Sequence, residues 1–529
     1  KEEKEEEELQ AAPTNGEIGK EEKMVKIENL DEDDEPEFQG EQNVVWAVPL
    51  SSNDNKRAIC PYLDTINRQV LDFDFEKLCS VTLENLNVYA CLVCGKYFGG
   101  RGSKTQAHYH SLQADHHIFV NLNTYKFYCL PDNYEVVDSS LVDIDHVMNP
   151  KFSPDQIKNL DHLEKTNRHT RCLDGSRYLP GFMGLNNIKN NDGMSVVFQA
   201  LLHVPPLRNF FLSHSNTNGK SPLVLHFGEL ARKMWSSGRF RPHVSPHEIL
   251  QAISDASNKK FRIGERCDPM EFLVWFLNKL HADLGGTRKP GSSIVQKVFQ
   301  GAMNMVVFTK NVVGKKEGAK KVNEVTWTES EKSSNFLFLP LDVPASPLFK
   351  NESEKNIIPQ MPLLTILEKF NGKNEEMVAS SGERRRYLLK TLPKYLIFHI
   401  KRFTKNFFFV EKNHTIVHFP VFNLELKDFV DPECLVDNPS TKYNLVANIR
   451  HCGDDLKSGN CVVDVQHLSS SQWYEMDDLD VKETLPELIA LSESYIQIWE
   501  RTEACATRSN PSAYRSRPIK TEDDNMNTS

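Results

Sequence analysis

No part of this sequence is apolar for long enough to cross a membrane, because none of its 529 residues lies in an uninterrupted apolar run approaching about 18. The sequence begins at Lys1 and opens without the apolar core of a secretory signal. Closely spaced cysteines are scarce: of the eleven, only Cys91 and Cys94 are separated by two residues. This spacing does not indicate a disulfide framework. It favours a reducing compartment, where such a pair binds metal.

Beyond residue 40 the sequence also lacks a large net charge of either sign. Residues 1–40 carry 16 acidic residues against 5 lysines, and the whole chain has a formal charge of −10, so the remainder is close to neutral. A strongly basic nucleic-acid surface is therefore not expected. Residues 1–43 are acidic and nearly free of aromatic residues, which predicts a disordered tail. Residues 503–529 are predicted to form a polar tail.

Two ordered regions remain, residues 44–155 and 178–502, with a polar linker predicted at 156–177. Helical periodicity dominates the first half of the longer region, around Val196–Leu201, His247–Ala256 and Glu271–Leu284. Strand-like runs dominate its second half. Helices followed by strands predict an α+β fold. The predicted strands are Phe336–Val343, Tyr395–Phe403, Tyr443–His451, Val462–His467 and Tyr495–Arg501.

One metal site is predicted in the shorter region. Cys91 and Cys94 are followed by His110 and His116, and this spacing of two thiols and two imidazoles suits one tetrahedral zinc ion. Binding such an ion helps a domain of about 100 residues to fold. His108 and His117 are alternative ligands because they neighbour the two histidines. Three further cysteines are interpreted as small core residues; they are Cys60, Cys79 and Cys129.

These residues, together with Cys60-Pro61-Tyr62 and the run 91–98, resemble the zinc finger of ubiquitin hydrolases over about residues 58–155. Members with several zinc ions carry further ligands, and Tyr62, Thr82 and Gln106 stand where three of these are expected. One structural zinc is therefore predicted. The family can bind the free carboxyl end of ubiquitin, and Arg101 and Tyr128 match part of that pocket. Because the rest of the pocket is not matched, ubiquitin binding is expected to be weak or absent.

The longer region resembles the ubiquitin-specific proteases. The run 184–194 has the frame of their cysteine box, but Asp192 stands where the family has its thiol. Further matching blocks are 268–273, 393–403 and 443–447. The resemblance implies a papain-like fold with a helical thumb and a β-rich palm and fingers. No Cys-x-x-Cys pair follows Phe299, so no zinc is expected in the fingers.

The histidine of these proteases is also missing. Their Gly-His-Tyr segment corresponds here to Gly459-Asn460-Cys461, and only the third catalytic position is kept, as Asp477. A cysteine protease needs a nucleophile and a base to cleave its substrate. We therefore predict a non-catalytic protein with vestigial positions at Asp192, Asn460 and Asp477. The alternative is a displaced nucleophile at Cys461 with His451 as its base, which lacks the helix N-terminus that activates a thiol.

Several short phrases narrow the resemblance to spliceosomal members of the family; they are 179–181, 184–189, 204–209 and 245–248. This resemblance implies a nuclear pre-mRNA splicing factor that supports tri-snRNP assembly or stability. Its partners would be the scaffold protein and the RNA helicase of the tri-snRNP, with small nuclear RNA contacted mainly indirectly and no membrane. Two other hypotheses remain open: a ubiquitin-binding adaptor, and a deubiquitinase with unorthodox catalytic residues.

Overall fold

The computed structural model describes residues 60–161, 169–217, 219–317, 320–344, 358–378, 382–405, 410–438, 440–454 and 458–502. All of them lie within one compact unit, Asn55–Ser529. No helix in these ranges has the length and apolar character that a membrane crossing requires.

The first part is a five-stranded antiparallel sheet with the strand order β2-β1-β3-β4-β5. Alternate residues of its strands pack on opposite faces: Ala90 and Val120 lie in one apolar cluster, and Cys91 and Phe119 lie in the other. Aromatic and β-branched residues favour these strands. The elements are β1 Val88–Cys91, β2 Tyr97–Gly99, α1 Gln106–Ala114, β3 Ile118–Asn121, β4 Phe127–Cys129, β5 Tyr134–Val136, α2 Val142–Met148 and α3 Pro154–Lys158.

Helices follow, interrupted by short strands. They are β6 Thr170–Arg171, β7 Arg177–Tyr178, β8 Gly184–Leu185, α4 Asp192–Leu202, α5 Pro205–Leu212, α6 His214–Thr217, α7 Pro222–Trp235, β9 His243–Val244, α8 His247–Ala256, α9 Pro269–Asp283 and α10 Ile294–Phe299. Every residue of α4 is buried, including its polar residues Asp192, Ser195 and Gln199. Helix α8 has the predicted bounds. Helix α9 begins two residues before the predicted Glu271, because Asp268 caps it by accepting the Met270 N–H at 2.8 Å.

The rest of the chain is mainly β-structure. Its elements are β10 Gly301–Glu317, β11 Lys320–Phe336, β12 Leu339–Asp342, β13 Gln360–Pro362, α11 Leu363–Leu367, β14 Glu376–Met377, β15 Arg384–Thr391, β16 Tyr395–Lys401, β17 Phe403–Lys405, β18 Val410–Lys412, β19 Ile416–His418, β20 Leu424–Glu425, β21 Lys442–Cys452, β22 Asn460–His467, β23 Gln472–Asp477, β24 Asp480–Thr484, α12 Pro486–Ala490 and β25 Ser494–Arg501. The largest sheet has the order β12-β16-β25-β21-β22-β23-β24, with β20 paired to β21.

Both faces of this sheet are covered. Tyr395 and Ile397 pack in the cluster that contains α4, whereas Leu396 and Phe398 pack in a second cluster on the other face. Strands buried on both faces read as continuous apolar runs, which is why the sequence revealed them. All five predicted runs contain strands, and the α+β class is confirmed. The run Tyr395–Phe403 is interrupted at Arg402, whose buried guanidinium donates to the Ser494, Asn413 and Thr415 carbonyls.

A buried ion-pair network joins the finger to the helical part. The Asp74 carboxylate accepts from Lys233 Nζ at 2.8 Å and from Arg239 Nη2 at 2.6 Å. Burial alone would raise the pKa of Asp74, but the charges of Arg239 and Lys233 outweigh it and lower the pKa to about 2. The carboxylate is therefore ionised whenever the finger is docked.

A second charged group at the same boundary surrounds His226, on α7. Its Nδ1 lies 2.8 Å from Glu229 Oε2 and 3.6 Å from Glu248 Oε2, and Lys77 of the finger lies 3.0 Å from Glu248. Burial would lower the pKa of His226, but the hydrogen bonds of the two glutamates raise it to about 9. The three side chains are close enough to hold a metal ion. A protonated histidine and Lys77 already balance the carboxylates, so we interpret the group as an ion-pair cluster.

Replacing Asp74 by alanine is expected to destabilise the protein strongly, because Lys233 and Arg239 are then left buried without their carboxylate. Loss of one partner of a buried pair costs about 3–5 kcal/mol, which corresponds to a fall in melting temperature of about 3–6 °C for a chain of this size. The matched control is Glu271→Ala, which removes a half-exposed ion pair with Lys260 and should cost less than about 1 kcal/mol. Equal effects of the two substitutions in thermal unfolding would contradict the buried network.

Acid should act on the same network. The pKa of Asp74 lies near 2 when folded and at 3.8 ordinarily, so its contribution to stability is complete above about pH 4. This contribution is lost as the pH falls from about 4 to about 2. The destabilisation of Asp74→Ala relative to the native chain should therefore shrink over that interval in melts recorded at each pH. A difference that does not vary with pH would contradict this assignment.

Candidate functional site

The four predicted zinc ligands converge in the finger. Cys91 Sγ lies 3.5 Å from His116 Nδ1, Cys94 Sγ lies 3.4 Å from His110 Nε2, and the two imidazole nitrogens are 3.0 Å apart. Bonds of about 2.3 Å to sulfur and about 2.05 Å to nitrogen, at tetrahedral angles, imply S···N edges of about 3.6 Å and an N···N edge of about 3.3 Å. The donor atoms therefore already have the spacing of a tetrahedral zinc site.

The local fold produces this convergence. Cys91 ends β1, and Cys94 lies in the turn before β2, where Gly95 adopts a φ of +75° and has no room for a side chain. Helix α1 carries His110, and His116 follows the left-handed Asp115 that ends it. The two thiols influence each other directly: the hydrogen bond from Cys91 lowers the pKa of Cys94 to about 4, and the same bond raises the pKa of Cys91. Two thiolates in this position need a cation between them.

Of the two alternative ligands, His108 does not belong to the cluster of four side chains whose ligand atoms converge, and His117 is engaged elsewhere. The ring of His117 stacks on Tyr62 at 3.9 Å, its Nδ1 lies 2.7 Å from the Leu130 carbonyl oxygen, and its Nε2 lies 2.9 Å from the Asp115 carboxylate. Cys60 and Cys129 pack together in the finger core, where burial raises the pKa of Cys129 to about 12. Cys79 is also buried and receives the Thr82 N–H.

Arg101 and Tyr128, the two residues that match the ubiquitin-tail pocket, lie together. The Arg101 guanidinium is 4.2 Å from the centre of the Tyr128 ring and donates to Asn133 Oδ1 at 2.9 Å. Tyr89 contacts the edge of the same ring. The arginine is thus already held by an aromatic face and an amide oxygen.

The three vestigial positions meet at the junction of α4 with β22 and β23. Asp192 is the first residue of α4, and its Oδ2 accepts the backbone N–H of Cys461 at 2.9 Å. Asn460, the first residue of β22, donates from Nδ2 to Asp477 Oδ1 at 2.5 Å. Asp192 is thus bonded to β22 beside Asn460, and Asn460 is bonded to Asp477 on β23.

A cavity of about 480 Å³ opens beside these residues and is lined by Asn186, Asn187, Asn460, Asp477, Asp478, Leu479 and Asp480. Asn187 donates to Asp478 Oδ2 at 2.9 Å. Burial raises the pKa of Asp478, and the negative charges of Asp192 and Asp477 raise it further. Sequence reasoning missed Asp478 and Asn187, although the adjacent acids at 477 and 478 were a visible signal.

The alternative nucleophile, Cys461, lies directly opposite His451 in the pairing of β21 with β22. Burial and the negative charge of Asp192 raise the pKa of the Cys461 thiol well above its ordinary value. The same two causes raise the pKa of Cys267 to about 12. Burial and the charge of Lys412 lower the pKa of His451. These shifts keep both thiols protonated at neutral pH, the reverse of an activated thiolate.

Gly193, the residue after Asp192, has no room for a side chain. A Cβ atom at this position would lie 2.6 Å from the Cys267 carbonyl oxygen. The backbone before α9 therefore occupies the space that a larger residue would need. The next residue, Met194, is buried in the main core.

Comparisons with known proteins agree with this arrangement. Residues 183–499 match the family described as ubiquitin carboxyl-terminal hydrolase, and residues 79–141 match the zinc finger in ubiquitin-hydrolases and other proteins. The chain is 50% identical to human ubiquitin carboxyl-terminal hydrolase 39, over 89% of this chain and 84% of that protein. It is 46% identical to the probable mRNA-splicing protein ubp10 of Schizosaccharomyces pombe, over 83% and 88% of the two chains.

Among solved structures, the crystal structure of an essential yeast splicing factor superposes with a TM-score of 0.65. It is 28% identical and covers 84% of this chain and all of the other. The match over residues 183–499 together with the 50% identity shows that the chain belongs to the ubiquitin carboxyl-terminal hydrolase family.

Proposed function

We propose that this protein is a non-catalytic pre-mRNA splicing factor of the nucleus. It supports tri-snRNP assembly or stability through protein contacts, including contacts with the tri-snRNP scaffold protein and RNA helicase. The observation that carries the proposal is a protease body whose nucleophile position holds Asp192, bonded to the Cys461 N–H. The names of similar proteins, a probable mRNA-splicing protein and an essential yeast splicing factor, support the splicing role.

The geometry of the vestigial site supports the loss of catalysis. Asp192 is a carboxylate at a helix N-terminus, where it interacts favourably with the helix dipole but does not attack an isopeptide carbon usefully. Asn460 does not accept and return a proton as an imidazole does, although Asp477 remains in place to orient one. Loss of both groups leaves only binding and oxyanion stabilisation, which is insufficient for turnover.

Affinity purification of the full chain from nuclear extract tests this proposal. The small nuclear RNAs and proteins of the tri-snRNP are expected to co-purify at physiological salt. A preparation that contains neither would contradict the splicing role. If free ubiquitin were instead the main bound partner, the adaptor hypothesis would replace it. We expect weak ubiquitin binding or none, because only Arg101 and Tyr128 match the pocket that holds the ubiquitin tail in the family.

The Asp192 carboxylate is proposed to stabilise the fold, which two substitutions test. Asp192→Ala leaves the buried Cys461 N–H unpaired and should lower the free energy of unfolding by about 1–3 kcal/mol. Asp192→Asn retains an acceptor oxygen and removes repulsion with Asp477 and Asp478, so it should be at least as stable as the native chain. Thermal unfolding of the three chains measures this order. An alanine variant more stable than the native chain would show that the Asp192 carboxylate does not stabilise the fold.

We further propose that the finger holds one structural zinc ion through Cys91, Cys94, His110 and His116. The purified chain should contain about one equivalent of zinc by elemental analysis. Cys91→Ser should lose the metal and melt at a lower temperature, since binding free energy contributes to folding. Cys79→Ser, which alters another buried cysteine of the same finger, should retain it. Two or more equivalents, or zinc loss in Cys79→Ser, would contradict a single site.

A further inference from the structure

Strand β24 is the last strand of the large sheet, and within the described residues it pairs only with β23. Asp477 and Asp480 close a two-residue turn between these strands, with Asp478 at a φ of +51°. Because the closing pair of such a turn is hydrogen-bonded and pairs then alternate, the N–H and C=O groups of Val481 and Glu483 face away from β23. An edge with outward-facing backbone groups is a template for another strand.

The turn that leads into β24 is fixed by contacts with Gly184 and Leu185. The Leu185 N–H donates to the Asp478 carbonyl oxygen at 2.9 Å. Gly184 contacts the turn so closely that a Cβ atom would lie 2.6 Å from Leu479 Cα. A rigid edge loses little conformational freedom when a strand is added to it.

Apolar side chains extend this edge onto the protein surface. Four leucines in the segment 479–491 are more than half exposed; they are Leu479, Leu485, Leu488 and Leu491. Leu479 and Leu485 directly flank β24, so exposed apolar side chains lie at both ends of the strand. We call the surface formed by β24, the turn before it and these leucines the edge surface.

The edge surface is acidic. Residues 477–487 contain five acidic residues, Asp477, Asp478, Asp480, Glu483 and Glu487, against one base, Lys482. Lys482 lies 3.1 Å from Asp480. The cavity of about 480 Å³ opens at the same end of β24 and is lined by Asp477, Asp478 and Asp480 together with side-chain amides. Carboxylates and amide oxygens in a cavity of this size accept hydrogen bonds from a guanidinium or an ammonium group.

We propose, building on the splicing function above, that the edge surface binds a basic extended segment of a protein partner, which adds a strand to β24 and inserts an arginine or lysine side chain into the cavity. Backbone hydrogen bonds to Val481 and Glu483 supply affinity, and the exposed leucines receive alternate apolar side chains of the segment. The charge of the cavity selects a basic segment and rejects the acidic residues 1–40 of this chain. The vestigial catalytic site thereby becomes part of a contact surface.

Binding of synthetic peptides to the full chain tests this inference. A fluorescent ten-residue peptide of alternating arginine and valine should bind, with an affinity that falls as salt increases, and a glutamate–valine peptide should not. The Asp480→Asn/Glu487→Gln double variant should bind the basic peptide about tenfold more weakly, by fluorescence anisotropy. Lys482→Gln should bind it more tightly. The matched control is Asp428→Asn, an exposed carboxylate elsewhere, which should change nothing.

The added strand is tested separately from the charge. Relative to Glu483→Gln, which removes only the charge, Glu483→Pro also removes an outward-facing N–H without removing a bond to β23, so it should melt normally and bind the peptide about tenfold more weakly than the glutamine variant. Unchanged binding in this variant, or equal binding of the acidic peptide, would overturn the inference. Peptide binding that appears only after residues 503–529 are removed would also overturn the inference. The arginines of that segment would then be the occupant of the edge surface. If no peptide binds while tri-snRNP components still co-purify, this inference fails and the splicing role stands.

Discussion

The hydrogen bond between the Asp192 carboxylate and the Cys461 N–H joins the two halves of the longer region at their centre. Asp192 begins a helix that is buried along its whole length, and Cys461 lies in a strand of the large sheet that is buried almost throughout. In a cysteine protease this junction must stay open to a substrate and hold a reactive thiol. Here a carboxylate closes it by bonding directly to the sheet.

A closed junction changes what the fold is able to do. The carboxylate that bonds to the sheet also suppresses ionisation of the two nearby thiols, because burial and the charge of Asp192 raise the pKa of both Cys461 and Cys267. At this position, therefore, the side chain that supports the fold also makes the nearby cysteines less reactive. The ionic contacts of Asp74 likewise join the finger to the helices.

The main elements were predictable because their signals are local. The strands Tyr395–Lys401 and Ser494–Arg501 are apolar on both faces, and the spacing of Cys91, Cys94, His110 and His116 allows them to converge on one ion. The interruption at Arg402 was missed, because its guanidinium bonds to carbonyls that lie far away in sequence.

Contacts between distant segments were likewise invisible in the sequence. Asp74 meets Lys233 and Arg239 about 160 residues later, and Asp192 meets Cys461 after 269 residues. A charged residue in a loop has the same local pattern whether it is solvated or buried against a partner, so neither network was foreseen. The positions of Asp192, Asn460 and Asp477 came from the family resemblance, whereas their mutual bonding needed the folded chain.

The central claim is that the protease body persists without a usable nucleophile. Incubating the purified chain with a ubiquitin probe that carries a C-terminal electrophile, beside an active family member, tests it most directly. Mass spectrometry should show no adduct on any cysteine of this chain, while the active enzyme is labelled. An adduct on Cys461 that disappears in Cys461→Ser would contradict the account.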